Sequence, residues 1–541
     1  MKPAEPTFNA ARVRPANAAP INRRGAYVLY WAQMSRRLAS NHALDYAITA
    51  ARELGKPLVV YEGLKLTYPW ASARFHQFIL EGMRDNVAEA VRRGATYWPF
   101  VETPRNPGRG LVRALCAKAC LLVTDDYPQF IVPAQIAAVA AAVEVAVHAI
   151  DGNGIVPLAK LGPPTKAAAH LRPKMHKLFA EAWVNKADAE PDFAALPHED
   201  LMPPFETWSP PEDLTGFVAS LPIDQSVPAL EHVQGGRVAG MALMGQFLKI
   251  KLDRYTTERN KPDDPERNSA SGLSAHLHYG HVGIQDVCEA TFAKVPGWTV
   301  DQLNLKTRNK DDFFCRDENV NGFLDEAITW RDVGYQWHFM TQRGLKDQGT
   351  VSRQADGEEW PTFNFASFDF SPLPTAGTLR GTLPEWAMAS LDKHTPDVRT
   401  HTYTLAEFEA AKTHDELWNA AQKELVVTGR IHNYLRMLWA KKVLEWTATP
   451  EEAYRVLEHL NNKYAIDGRD PNSYTGVLWS FGLFDRPWPP ERKVFGNIRY
   501  MTSDSTAKKF KLAAYYQFVR GLPRIADVRA GVAKVPAKLF E

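Results

Sequence analysis

A run of small hydroxyl residues, SASGLSAHLHYG at 269–280, holds the first chemistry that the chain offers. It stands just before a helical pattern. There, free backbone N–H groups and the side chains of Ser271 and Ser274, around Gly272 and Leu273, can receive the oxygens of a diphosphate-bearing cofactor. An ordinary serine N-cap would give the same spacing. Upstream, FLKIKLDRYTTERN at 247–260 sets Tyr255 and Arg259 four residues apart on one helix face. Downstream, TGRIHNYLRMLWAKKVLEW at 428–446 brings Asn433, Arg436 and Met437 onto neighbouring turns. The chain has 15 tryptophans, enough to ask whether some stack on a ligand or carry electrons. Trp439 and Trp446 are seven residues apart and share a helix face, which permits a hopping path toward solvent and equally permits simple packing.

Between Trp488 and Arg520 there are seven basic residues (Arg492, Lys493, Arg499, Lys508, Lys509, Lys511, Arg520) against Glu491 and Asp504. Such a stretch can track phosphates or simply form a solvated basic face. Metal chemistry is not expected. DENVNGFLDEAI at 317–328 begins like a calcium loop at Asp317, Asn319, Asn321 and Gly322, but its twelfth position is Ile328 rather than a bidentate Glu. His276, His278 and His281 lack a carboxylate or Cys at ligand spacing. The four cysteines form no CxxC pair, which suits a reducing compartment and argues against structural zinc.

The elements that must position these residues fall into two kinds. From 26 to 151, apolar runs (AYVLYWA, PLVVYEG, TYWPFVE, CLLVTDD, EVAVHAID) alternate with amphipathic stretches, the pattern of a five-stranded doubly wound parallel sheet. It has no glycine-rich nucleotide loop of either common type. A Pro-rich, low-pattern connection follows Asp151 and reads as a long traverse over the surface. Beyond about residue 230 the period is helical, over 241–259, 281–292, 322–339, 404–421, 424–446 and 450–464. A Gly/Pro/aromatic insert at 341–385 reads as an irregular loop. The expected division is an N-terminal extension at 1–24, flexible; an α/β domain at 25–160; a linker at 161–229; an all-α domain at 230–525; and a tail at 526–541. With 45% apolar and 23% charged residues in 541, the chain has the balance of a globular protein of two or more domains. Its net charge of +2 leaves nucleic-acid binding to a local basic face. The polar N-terminus, and an Ala/Val-rich stretch at 135–150 broken by Glu144 and His148, point away from export and membrane spanning, toward a cytoplasmic location.

Taken in order, the Tyr-containing helix, the Ser-x-Leu-Ser loop and the RMLWAKK helix resemble the FAD-binding domain of the cryptochrome/photolyase superfamily. THDELWNAAQ, RMLWAKKVLEW, LNNKYAIDGRDPNSYTGVLWS and FGNIRYM are similar to the class II DNA photolyases, which split cyclobutane pyrimidine dimers, over nearly all of 398–501. FLDEAITWRD, DGNGIVPL and LRPK extend the resemblance more weakly. The bacterial class has a relay tryptophan where this chain has Val477 and a flavin-facing Asn where it has Ser473. Where class II commonly reads Ser-Pro-Tyr-Leu, this chain has Ser274, Ala275, His276 and Leu277.

The resemblance implies an all-α domain that binds FAD through Tyr255, Ser271, Gly272, Leu273, Ser274, Asn433, Arg436, Asp467 and Asp470. It implies a photoreduction relay of Trp418, Trp439 and Trp446, with Asn461 facing the flavin N5. Asn461 could also be a plain helix-terminal residue, and Arg436 with Asp467 a plain structural ion pair. Glu326 matches the residue that hydrogen-bonds the dimer, Met437 and Trp479 the walls on which it rests, and Arg499 the residue that fills the space it leaves; Arg259 joins this DNA-facing set. The implied partner is ultraviolet-damaged DNA, bound by a monomer. An antenna chromophore such as 8-hydroxy-5-deazaflavin is compatible with the α/β domain, although no residue set identifies one. A cryptochrome-like photoreceptor, photoreduced without repair, is the alternative; retention of Glu326, Met437, Trp479 and Arg499 favours repair.

Overall fold

The structure, a computed structural model, describes residues 8–307, 309–341, 379 and 381–535, so the aromatic insert lies almost wholly outside the described residues. The expected apolar runs form strands β2 (Tyr27–Trp31), β3 (Leu58–Leu64), β4 (Thr96–Val101), β5 (Ala119–Asp125) and β6 (Val147–Ile150). Every residue of β2 and β5 is buried, because helices cover both faces of the sheet. These five strands run parallel, as expected.

The sheet has six strands, not five, in the order β1-β6-β5-β2-β3-β4. Strand β1 (Val13–Pro15) pairs antiparallel with β6, Val13 opposite Ile150. It belongs to the segment expected to be a flexible extension. Arg12 explains the difference: its buried guanidinium donates to the carbonyls of Asp151 (2.9 Å), Gly154 (3.2 Å) and Ile155 (2.5 Å), and Arg14 forks onto Asp126. A three-residue edge strand ending in proline leaves no alternating pattern to read.

The connection at 161–229 is also more ordered than its composition suggests. It holds a 17-residue helix, Ala168–Val184, with Pro173 inside it. Leu171, Met175, Phe179 and Ala182 recur at four, four and three residues and are buried, which defines the core-facing side.

Three of the expected helices are interrupted. The 241–259 pattern is a helix Gly236–Ile250, then a 3-10 turn, then Tyr255–Glu258. The 404–421 pattern separates into Leu405–Glu409 and Glu416–Thr428. The 424–446 pattern divides at Gly429, whose φ of 72° closes Glu416–Thr428 before Asn433–Trp446 begins. The expected 450–464 helix is present as Pro450–Tyr464.

Arg74, on the helix Ala73–Arg93 of the α/β domain, reaches across to the helical domain. It donates to Tyr464 O at 2.5 Å and Val426 O at 2.8 Å. Arg469 enters the same junction, its guanidinium 3.6 Å from the Phe75 ring centre and 5.6 Å from that of Phe130. These contacts fix the loop that carries Asp467. All four cysteines are free. Among the described residues no helix is long and apolar enough to cross a membrane, and no cluster of three His, Cys, Asp or Glu is placed to hold a metal ion. Asp317 caps the helix Glu318–Leu324, while Asn319 accepts from Thr256 N and Asn321 bonds Phe314 N and Cys315 O.

Candidate active site

Arg436, one turn into Asn433–Trp446, pairs with Asp467 at 3.0 Å. Their side chains are 28% and 21% exposed, so an inward-facing ion pair still reaches open space. Asn461 comes from the neighbouring helix Pro450–Tyr464, is 4% exposed and donates from Nδ2 to Asn462 Oδ1 at 3.2 Å. The loop between them is tightly held. A Cβ on Gly468 would come within 2.8 Å of Asn461 O, Arg469 adopts φ 68°, and Ser473 Oγ donates to Asp467 O. The structure therefore pairs Arg436 with Asp467 and sets the Asn461 backbone behind the loop that carries Asp467.

A second end is built around Ser271 and Gly272. Gly272 has φ 74°, and a Cβ there would lie 3.3 Å from Arg430 Nη1. Burial lowers the Arg430 pKa, with Asp467 opposing the shift, and its guanidinium makes a stretched 3.5 Å bond to Gly272 O. Leu273 is buried and offers this site only backbone, whereas Ser274 and Asn433 are exposed. Tyr255 is buried under Arg259, whose guanidinium lies 5.3 Å from its ring centre.

Trp418, Trp439 and Trp446 are all buried in one core. The Trp418 and Trp446 ring centres are 5.8 Å apart, and Trp418 Nε1 donates to Trp439 O at 3.0 Å. Trp439 Nε1 donates to Gln422 Oε1 at 2.8 Å. Trp446 is 1% exposed, so the trio does not itself open toward solvent. Tyr403 at 5.5 Å and His414 at 5.2 Å lie between Trp446 and the surface, because the Leu405–Glu409 turn folds its flanks over that indole.

Met437, Trp479 and Arg499 line one cavity of about 370 Å³ with Tyr434, Trp488 and Lys509. Arg499 is clamped to Asp485 at 3.0 Å and lies 4.1 Å from a Trp488 ring centre and 5.4 Å from that of Trp479. Trp488 in turn donates to Asp485. Glu326 does not line this cavity. It stands on a π turn, Asp325–Trp330, and pairs with Arg259. Burial pushes the Glu326 carboxyl up and Arg259 opposes that. Arg259, expected to face DNA, is thus turned onto the glutamate as its holder.

Over 525 residues the chain is 32% identical to a deoxyribodipyrimidine photo-lyase of Methanothermobacter thermautotrophicus, covering 95% of this chain and 99% of that relative. It is 34% identical over 514 residues to a deoxyribodipyrimidine photo-lyase of Oryza sativa subsp. japonica, 92% of this chain and 88% of that one. The chain belongs to the deoxyribodipyrimidine photolyase family. The photolyase fold also matches the cryptochrome of Synechocystis sp. PCC6803 at a TM-score of 0.59, with 14% identity, 93% of this chain and 91% of that one. No family model matches the chain.

Membership in the photolyase family implies FAD, and the residues present fit it. An anionic diphosphate suits the Gly272 cradle and the Arg430 guanidinium, while the Arg436–Asp467 pair and Asn461 offer charge and an amide to a flavin ring. Asp470, expected among the cofactor residues, has other bonds. Its oxygens accept from Tyr335 OH (2.6 Å), Tyr127 OH (3.2 Å) and Asn472 N (2.8 Å), so it caps the helix Pro471–Trp479 and ties that helix to the α/β domain. Sequence reasoning did not single out Arg430, Trp488 or Tyr403, which the structure sets beside Gly272, Arg499 and Trp446 respectively. An arginine directly after the helix-ending Gly429, and a Trp-Pro-Pro beside the basic stretch, were the available signals.

Proposed function

We propose that this protein is a class II enzyme that repairs ultraviolet-damaged DNA by light-driven splitting of cyclobutane pyrimidine dimers, with FAD as its cofactor. One observation carries the reading: Arg436 and Met437, consecutive on one helix, belong respectively to the charge pair suited to the flavin and to the wall of the lesion-sized cavity. The chemistry that reduced FAD supplies when bound and illuminated is one electron lent to the cyclobutane ring and recovered after ring opening.

The chain's own residues do the rest. Met437 and Trp479 receive the flipped dimer, with stacking worth roughly 1–3 kcal/mol per base against an extrusion cost of a few kcal/mol. Arg499, fixed by Asp485 and lying over Trp488, fills the gap left in the duplex. Glu326, steadied by Arg259, accepts a hydrogen bond from a pyrimidine N–H of the dimer. Arg436 offers a fixed cation to a flavin ring, and Asp467 keeps it oriented. Trp439, Trp418 and Trp446 serve reduction of the resting cofactor, with Tyr403 beyond them.

Illumination of the reduced protein with oligonucleotides bearing either a cyclobutane dimer or a (6-4) product, followed by product analysis, tests this. Monomers from the first and no change in the second are expected. Repair of neither, with photoreduction intact, would favour the photoreceptor instead.

A further inference from the structure

A lysine without exposed surface needs a physical reason, since an ammonium leaves water only against a large penalty. Lys441 follows Met437 by one helical turn and is fully buried. Its Nζ donates to Ser480 O at 2.7 Å and lies 4.8 Å from the centre of the Trp479 ring. Ser480 closes the helix Pro471–Trp479, so the ammonium also meets the partly negative carbonyl end of that helix. Trp479 lines the lesion cavity and Lys441 does not, so the lysine meets the ring from the core side. The charged groups facing it are Asp485, which favours the ammonium, and Arg499, which opposes it. On its own helix, Lys442 is tied to Glu445 at 2.8 Å.

We propose that Lys441 is a positioning residue for lesion binding: its ammonium, anchored on the Ser480 carbonyl, holds the Trp479 ring by cation–π attraction in the orientation on which a flipped dimer stacks. This rests on the repair reading above. A ring held beforehand does not have to be ordered when the lesion arrives, so affinity is gained at the encounter. The same placement makes the attraction titrate. Burial brings the Lys441 ammonium down to about 7, so the cation is present below that pH and is lost as pH rises through it.

The test is dark binding by the FAD-loaded protein of an oligonucleotide with one cyclobutane thymine dimer and of the same strand undamaged, read as the ratio of the two affinities. For the wild type the ratio should fall as pH is raised from about 6 to about 8.5, across the lysine titration. Lys441→Met should lower the ratio about tenfold at the acidic end and abolish its pH dependence. Lys441→Arg should restore the acidic value and hold it across the range, because a guanidinium does not titrate there. A Lys441→Met protein with the wild-type ratio and profile would overturn the proposal. So would equal weakening toward both strands together with a lowered melting temperature, which is the mark of a packing role alone. If Lys441→Met does not fold, the wild-type and Lys441→Arg profiles decide: parallel pH dependence overturns the proposal, and a flat arginine profile supports it. A wild-type protein without lesion preference at any pH would instead sink the repair reading itself.

Discussion

Glu326 is subject to two opposed influences. Burial favours its neutral form and Arg259 favours its charged form, leaving a carboxyl held in place with capacity to accept from a substrate N–H. Glu326→Gln keeps the shape and removes a charge-assisted bond worth about 1.5–3 kcal/mol, so repair turnover should fall about 10- to 100-fold. Flavin photoreduction, followed by absorbance, should be unaltered by that change. Asp470 gives a different prediction. Burial raises its pKa, but bonds from His278 and Tyr335 and the charge of Arg331 outweigh it and bring the carboxyl to about 2. A depressed carboxylate stabilises the fold above its unfolded pKa of about 4, and the contribution disappears as pH falls through the folded value. Asp470→Asn should therefore cost about 1–3 kcal/mol near neutrality, and urea titrations should show its deficit shrinking between about pH 4 and pH 2. The family resemblance, not residue types alone, pointed to Arg436, Asp467, Met437, Trp479 and Arg499; the first two form an ion pair and the other three line one cavity. Neither resemblance nor residue type could reveal Asp470's commitments, because Tyr127 and Tyr335 reach it from 343 and 135 residues away.

At the scale of elements, Gly429 matters most. The apolar period runs through it unbroken, which is why 424–446 reads as one helix; only a residue tolerant of φ 72° makes it two. The break lets Glu416–Thr428 and Asn433–Trp446 pack side by side, and so puts the Trp418 N–H on the Trp439 carbonyl. Gly429→Ala places a Cβ 2.6 Å from Leu230 Cδ1 in a left-handed conformation, and should destabilise by at least about 1–2 kcal/mol in urea titration. Trp418→Phe tests what the pairing serves. Steady illumination with an external reductant should leave most of the flavin oxidised, while protein reduced chemically beforehand should still split dimers. The seven-residue spacing of Trp439 and Trp446 was legible in the sequence. The burial of Trp446 was not, because Tyr403 and His414 reach it from a separate segment.

Over the whole molecule the charges nearly cancel, yet Arg492, Lys493, Lys508, Lys509 and Lys511 are exposed, and Arg492 and Lys509 line the cavity beside Met437 and Trp479. If Arg492 and Lys509 contact phosphates, replacing either with Ala should weaken damaged and undamaged DNA alike and reduce the slope of log affinity against log salt by about 1. The two-domain plan was readable because strand and helix periods differ. The helix Ala168–Val184 and strand β1 were not, since one is masked by prolines around it and the other is defined by what Arg12 binds. On the proposed function, light absorbed at the Arg436–Asp467 end is used at the Met437–Trp479 end. The most direct measurement is the action spectrum of dimer splitting by the reduced protein. The account predicts monomer formation that follows the absorption of bound reduced flavin and ceases in the dark. Splitting that proceeds without light, or illumination that cycles the flavin and leaves every dimer intact, would contradict it.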